Sequence, residues 1–144
     1  MKELAMFRLH DRIEADTVAL GRTSLCEIRL MNDSTWLWVL LVPAVNGVRE
    51  IYQLSADQQH QLVRESSALS EAMMNEFGGD KMNVAALGNM VPQLHIHHIV
   101  RFENDPAWPA PIWGKQAPVS YSEEELEQVR RRLAGVLAEL QDGV

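Results

Sequence analysis

"VPQLHIHHIVRF", residues 91–102, places three of the chain's five histidines in an otherwise apolar run. An imidazole is costly to bury without a hydrogen-bond partner, so three of them here need a reason. The aliphatic and β-branched residues around them read as a strand, the fifth of the chain. Pro92 restricts how the backbone enters it. Successive side chains on a strand point to opposite faces, and residues two apart are about 7 Å apart along it. Gln93, His95 and His97 then share one face, and Leu94, Ile96 and His98 share the other. The cluster therefore divides. His95 and His97 form a polar row with Gln93, whereas His98 is expected to be a hydrogen-bonded histidine in or near the core.

Downstream, "ENDPAWPAPIWGKQAP" is an extended loop rich in Pro and Trp. Ser122-Glu123-Glu124-Glu125 then caps a last helix with Leu126, Val129, Leu133, Leu137 and Leu140 on one face. Upstream, "KMNVAALGN" (residues 81–89) reads as a strand ending in a turn. Before it, Ser55-Ala56-Asp57-Gln58 is a capping box. It opens a helix with Leu62, Leu69, Met73 and Phe77 at helical spacing, stopped by Gly78-Gly79. "WLWVLLVPAV" (residues 36–45) is nearly all apolar and reads as a central strand buried on both faces. Residues 17–20 and 25–31 read as two more strands around a turn at Gly21-Arg22-Thr23, with Asn32-Asp33-Ser34 as the next turn. Strands, helix, strands, helix predicts an α+β fold with an antiparallel sheet.

With 144 residues, the chain is long enough for one compact domain and too short for two ordinary ones. Its net charge of -7 suits neither non-specific nucleic-acid binding nor acidic lipid. Nucleic acid and membranes are therefore not expected partners. A small phosphorylated ligand is compatible, because local donors matter more there than net charge. The single cysteine, Cys26, allows neither an intramolecular disulfide nor a Cys-based zinc site. The first residues lack the apolar core of a signal peptide, and no apolar run is long enough to span a bilayer. A soluble cytoplasmic protein is expected.

Two imidazoles on one face suit two tasks. One is metal binding, which needs a third ligand. His10 and His60 are distant in sequence and no acidic residue nearby has ligand spacing, so no metal ligand is assigned, and His10 and His60 receive no role. The other is nucleophilic attack at phosphorus, with one ring attacking and the other donating a hydrogen bond to phosphoryl oxygens or the leaving group. The attacking ring then needs its tautomer fixed through its other nitrogen.

"GNMVPQLHIHHIVR" (residues 88–101) resembles the signature of the histidine triad (HIT) family. That signature alternates three histidines with apolar residues, follows a Gly-Gln-Thr-Val-like tetrapeptide and is often followed closely by Arg. Gly88-Asn89-Met90-Val91 stands where the tetrapeptide falls. The order of elements over residues 25–101 is also similar, and "DPAWPAPIWG" resembles the C-terminal loop of a bacterial branch, here with Gln at the first histidine of the motif.

The resemblance implies a single HIT-like domain over residues 1–144, with residues 102–144 as a C-terminal loop and helix extension. It implies a five-stranded antiparallel sheet with one central and one C-terminal helix, and a small-molecule nucleotide ligand. A homodimer is implied too, with the 36–45 strand and the long helix as candidate interface elements. In the family the second histidine attacks the α-phosphate to form a nucleotidyl-histidine, and water or another acceptor releases the nucleotide. By position, His95 falls on the nucleophile and His97 on the phosphate-contacting third histidine. Asn32 falls near the residue that holds the ribose hydroxyls and Asn89 on a phosphate-side position; Asn83 is a secondary candidate. The implied activity is a nucleotide phosphoramidase or dinucleoside polyphosphate hydrolase. The alternative is a catalytically weakened nucleotide-binding module. No cofactor is required, although a phosphate substrate could bring Mg²⁺.

The sequence departs from the pattern at four places. Gln93 replaces the first histidine; it can still hydrogen-bond and is a candidate substrate-binding residue, but it cannot titrate. Trp38 stands where many members have a further histidine. The segment from Asn83 to His95 is short, and His98 replaces an apolar residue. Elsewhere, Trp36 and Trp38 are expected in the core or a dimer interface. Trp108 and Trp113 are expected to pin the Pro-rich loop, and Arg101 to be solvated or paired with an acid.

Overall fold

In the computed structural model, which describes residues 6–143, the long apolar run becomes β3 (Leu37–Pro43), the middle strand of a five-stranded sheet. On one side it pairs with β2 (Cys26–Met31), and β2 with β1 (Thr17–Arg22). On the other it pairs with β5 (Ile96–Arg101), and β5 with β4 (Lys81–Ala85). Every pairing is antiparallel, which gives the expected α+β fold. Because β3 is covered on both faces and hydrogen-bonded along both edges, its residues need not alternate. Paired along both edges, β3 keeps only Leu37 and Trp38 half-buried and the rest of its side chains buried.

One face of the sheet is closed by two helices. In α2 (Ala56–Phe77), the Ser55 hydroxyl accepts from Gln58 N and the Gln58 side chain accepts from Ser55 N, completing the capping box. The helix ends at Gly78, whose φ of 64° is the left-handed conformation glycine adopts without strain. Gly79 follows for a different reason: a Cβ there would lie 2.3 Å from Val100 Cγ1, so the exit from α2 lies hard against β5. Leu62, Leu69 and Met73 of α2 and Val129, Leu133, Val136 and Leu140 of α3 (Glu123–Gly143) join one core with Ile28, Leu30, Val39, Leu41, Ile96 and Val100. Each such side chain contributes roughly 1.5–3 kcal/mol by leaving water. Fully buried Glu65 accepts from Ser24 Oγ at 3.1 Å, Leu25 N at 3.2 Å and Gln61 Nε2 at 2.7 Å, and also from Thr23 Oγ1, tying α2 to the β1–β2 turn. Cys26 is a buried core thiol, its pKa pushed up by burial and then by Glu65.

The opposite face carries two irregular segments. An N-terminal strap brings Phe7, Leu9 and Ile13 against Leu40 and Val42. It includes α1 (Asp11–Asp16), a six-residue helix too short to show an apolar period in the sequence. The Pro- and Trp-rich loop is the second segment, anchored by Arg101. This guanidinium is 1% exposed. It donates to Asp105 at 2.7 and 3.1 Å, to Asn83 Oδ1 at 2.8 Å and to the Ala110 carbonyl at 2.8 Å. The Trp36 and Trp108 rings lie 5.9 and 5.7 Å from it. Arg101 holds the Asp105 carboxyl down at about 2. β4 and β5 are shorter than the sequence predicts. Residues 86–95 leave the sheet, with Gly88 at positive φ and Pro92 lacking a ladder donor. No helix among the described residues is long and apolar enough to cross a membrane.

Candidate active site

His95 immediately precedes β5 and His97 lies within it. Their ring centroids are 5.0 Å apart. His95 Nδ1 lies 2.6 Å from the Gln93 carbonyl oxygen, which can only accept, so the proton is on Nδ1. In the neutral ring, Nε2 then carries the lone pair. His97 Nδ1 lies 2.9 Å from Trp38 Nε1, and an indole can only donate. The His97 proton is therefore on Nε2. The two rings are held in opposite tautomers, one with a free lone pair and the other with a free N–H.

The sheet register makes this possible. Leu40 pairs with His97 and Trp38 with Ile99, so the indole is a diagonal neighbour of His97 on the same face. Trp113 of the loop meets the His97 ring edge-on at 5.2 Å and Trp38 at 6.2 Å. Burial, then His95 and then His98, push the His97 pKa down to about 3. His97 is therefore a neutral donor near pH 7. His98 points to the helix face, as the alternation predicts. Its Nδ1–H donates to the Ile96 carbonyl at 3.1 Å and its Nε2 accepts from the Ser66 hydroxyl at 2.8 Å, and burial lowers its pKa to about 4.

A cavity of about 550 Å³ opens above His95 and His97, a size that suits a nucleotide. The strap supplies one wall with His10, Arg12 and Asp16. Residues 87–91, including Asn89, supply another, and Trp38 and Trp113 line it near His97.

The structure brings His95, His97 and Asn89 onto this cavity and places the other three sequence candidates elsewhere. Asn32 spends its carbonyl on Tyr121 N at 2.9 Å, fixing the segment that leads into α3. Asn83 accepts from Arg101 and lines a separate groove beside β4. Gln93 grips the strap, accepting from His10 N at 2.8 Å and donating to the Arg8 carbonyl at 2.9 Å. Sequence reasoning missed Trp38, which needs the β3–β5 register to be seen beside His97. It also missed His10, Arg12 and Asp16, which no motif marks. Among the described residues no three His, Cys, Asp or Glu side chains are grouped to hold a metal ion.

A family model described as the HIT domain matches residues 12–104. The chain belongs to the HIT domain family. This places it in a superfamily of nucleotide-binding hydrolases and transferases. A histidine triad protein from Marinobacter aquaeolei VT8 is similar at 62% identity and a TM-score of 0.92, over 94% of this chain and 99% of that one. A histidine triad (HIT) protein from Sinorhizobium meliloti 1021 is similar at 38% identity and a TM-score of 0.87, over 90% and 96%. A histidine triad protein from Bradyrhizobium japonicum is similar at 38% identity and a TM-score of 0.88, over 91% and 98%. Among curated proteins no match was found. In this HIT protein His95 and His97 line the cavity and Gln93 binds the N-terminal strap.

Proposed function

We propose that this HIT protein is a hydrolase or nucleotidyl transferase acting at the α-phosphate of a nucleoside 5′-phosphate derivative, either a phosphoramidate or a dinucleoside polyphosphate. The opposed tautomers of His95 and His97 carry this reading. His95 Nε2 offers its lone pair to phosphorus. The P–N or P–O bond to the leaving group breaks, and the leaving group departs with the electron pair. The Gln93 carbonyl holds Nδ1–H and so steadies the positive ring of the nucleotidyl-histidine intermediate. His97 Nε2–H donates to the phosphoryl oxygens, where charge is concentrated in the transition state. Water then attacks phosphorus, the P–Nε2 bond breaks with its electron pair returning to His95, and the proton that water gives up to solvent balances the one the leaving group takes up, so that the free nucleotide departs.

The residues require no metal, and Mg²⁺ would arrive with a polyphosphate substrate. Gln93 at the first histidine position marks a bacterial branch of the family, and the cytoplasm is the compartment. A homodimer is supported by β4, an edge strand with Val84 half exposed and Leu87 beside it, and by exposed Val63 on α2. The second reading is nucleotide binding with little turnover. It draws on Gln93, which commits both polar atoms to the strap and cannot titrate. The deciding assay is AMP release from adenosine 5′-phosphoramidate and diadenosine tetraphosphate. Turnover by the wild type that His95→Ala abolishes supports the enzyme. A wild type as inert as His95→Ala, yet binding AMP by calorimetry, supports the binding module.

A further inference from the structure

Gln93 occupies the motif position of the first histidine but does not line the cavity. Its amide makes a two-point grip on the strap backbone, at His10 N and the Arg8 carbonyl. Phe7, Leu9 and Ile13 pack the same strap onto Leu40 and Val42. The residue gripped this way is a histidine, and it lines the cavity with His95 and His97. The tautomer of this ring is fixed as well. His10 Nδ1 accepts from Arg12 N at 3.0 Å, so in the neutral ring the proton sits on Nε2. Its neighbour on that wall, Arg12, is engaged through Nε with Asp16 at 2.8 Å.

We propose that His10 is the third imidazole of this site, an Nε2–H donor to an anionic oxygen of the bound phosphate ester, supplied by the strap that Gln93 holds. The inference rests on the nucleotide-phosphate reading above. The donor is the imidazole side chain and not the free N–H groups of the short α1. In effect, the imidazole missing from the strand returns from the other end of the chain.

The test compares AMP and adenosine, which differ by the phosphate, binding to the full chain by calorimetry. His10→Asn keeps a side-chain oxygen to accept from Arg12 N but is too short to donate where Nε2–H does. His10→Asn is expected to weaken AMP about tenfold, the scale of one hydrogen bond to a charged group, and to leave adenosine unchanged. Gln93→Ala is expected to act in the same direction, and Arg12→Gln to have the smaller effect. In ¹⁵N-correlated spectra, the His10 Nε2–H resonance should shift with AMP, which decides the matter if adenosine binds too weakly for calorimetry. Unchanged AMP affinity in His10→Asn, equal loss of AMP and adenosine, or a loss confined to Arg12→Gln overturns the assignment while nucleotide binding stands. A wild type that binds neither ligand overturns the nucleotide reading, and this inference with it.

Discussion

His97 and His98 are consecutive residues on one strand, both buried and both held neutral well below the ordinary imidazole range, yet they do unlike things. His98 has both ring nitrogens committed inside the protein, to the Ile96 carbonyl and the Ser66 hydroxyl. His97 has one nitrogen committed, to the Trp38 indole, and lines the cavity. Burial alone does not distinguish a histidine committed to the core from one open to the cavity. The number of ring nitrogens left without an internal partner does, and strand alternation sets that number. His95 fits the same rule, with Nδ1 used by Gln93 and Nε2 left free.

The sharpest way to break this contrast is to delete one imidazole from each face. His95→Ala should lower AMP release by about 10⁴-fold or more, the scale on which covalent catalysts lose rate when the nucleophile is removed. Its urea midpoint should move less than that of His98→Ala, since the His95 ring borders the cavity and the His98 ring is enclosed in the core. His98→Ala should show the reverse pattern. If the two variants lose activity alike, the division of the cluster by face is wrong.

A second test uses pH. His97 and His98 have folded pKa values of about 3 and about 4, below their ordinary 6.5. The unfolded chain therefore takes up protons that the folded chain refuses. Their contribution to stability is full above pH 6.5 and is lost as pH falls toward 4 and then 3. Around pH 5 the pair should therefore give a slope approaching two protons, roughly 3 kcal/mol per pH unit. Below pH 4 the Asp105 carboxylate, held at about 2 by Arg101, adds to the loss. Urea unfolding at pH 7.5, 6 and 5 measures the slope, and His98→Phe should halve it. A wild-type slope of one proton or less would mean that one of the two rings is protonated in the folded state.

The third test concerns stability on the helix face. His98→Ala removes a filled volume in the core and leaves the Ser66 hydroxyl and the Ile96 carbonyl without their partner. This should cost about 3 kcal/mol, with turnover per folded molecule unchanged. Ser66→Ala removes only one bond of the pair and should cost about 1 kcal/mol. A His98→Ala cost no larger than that of Ser66→Ala would show that the ring is not packed as its complete burial implies.

The parts of this molecule that were legible in the sequence are those fixed by local pattern. The apolar run placed β3 at the sheet centre, Ser55 and Gln58 announced the start of α2, and alternation separated His98 from His95 and His97. The hidden parts depend on contacts between distant residues. Gln93 meets His10 from 83 positions away, and Asn32 meets Tyr121 from 89 positions away. Neither residue could be seen to be engaged without the fold. The strap was hidden because six helical residues carry no measurable period. Trp38 read as core because its residue type suits a strand interior, and only the pairing of β3 with β5 shows that its N–H is aimed at a ring nitrogen.

That indole gives the smallest and most specific test. Trp38→Phe keeps an aromatic ring against His97 but removes the N–H that holds Nδ1 unprotonated. The proton on His97 can then divide between the two nitrogens, and the fraction presenting Nε2–H to the phosphoryl group falls. Turnover should drop about tenfold, the worth of one buried hydrogen bond, while nucleotide affinity changes less. The ¹⁵N shifts of His97 should move from a single tautomer toward a mixture. Trp38→His, which restores a donor near that position, should recover part of the loss if the N–H matters and none if only the bulk of the indole does. If Trp38→Phe keeps full turnover and a single His97 tautomer, the indole serves packing alone. His97 would then be held by something other than the bond that sets it apart from His98.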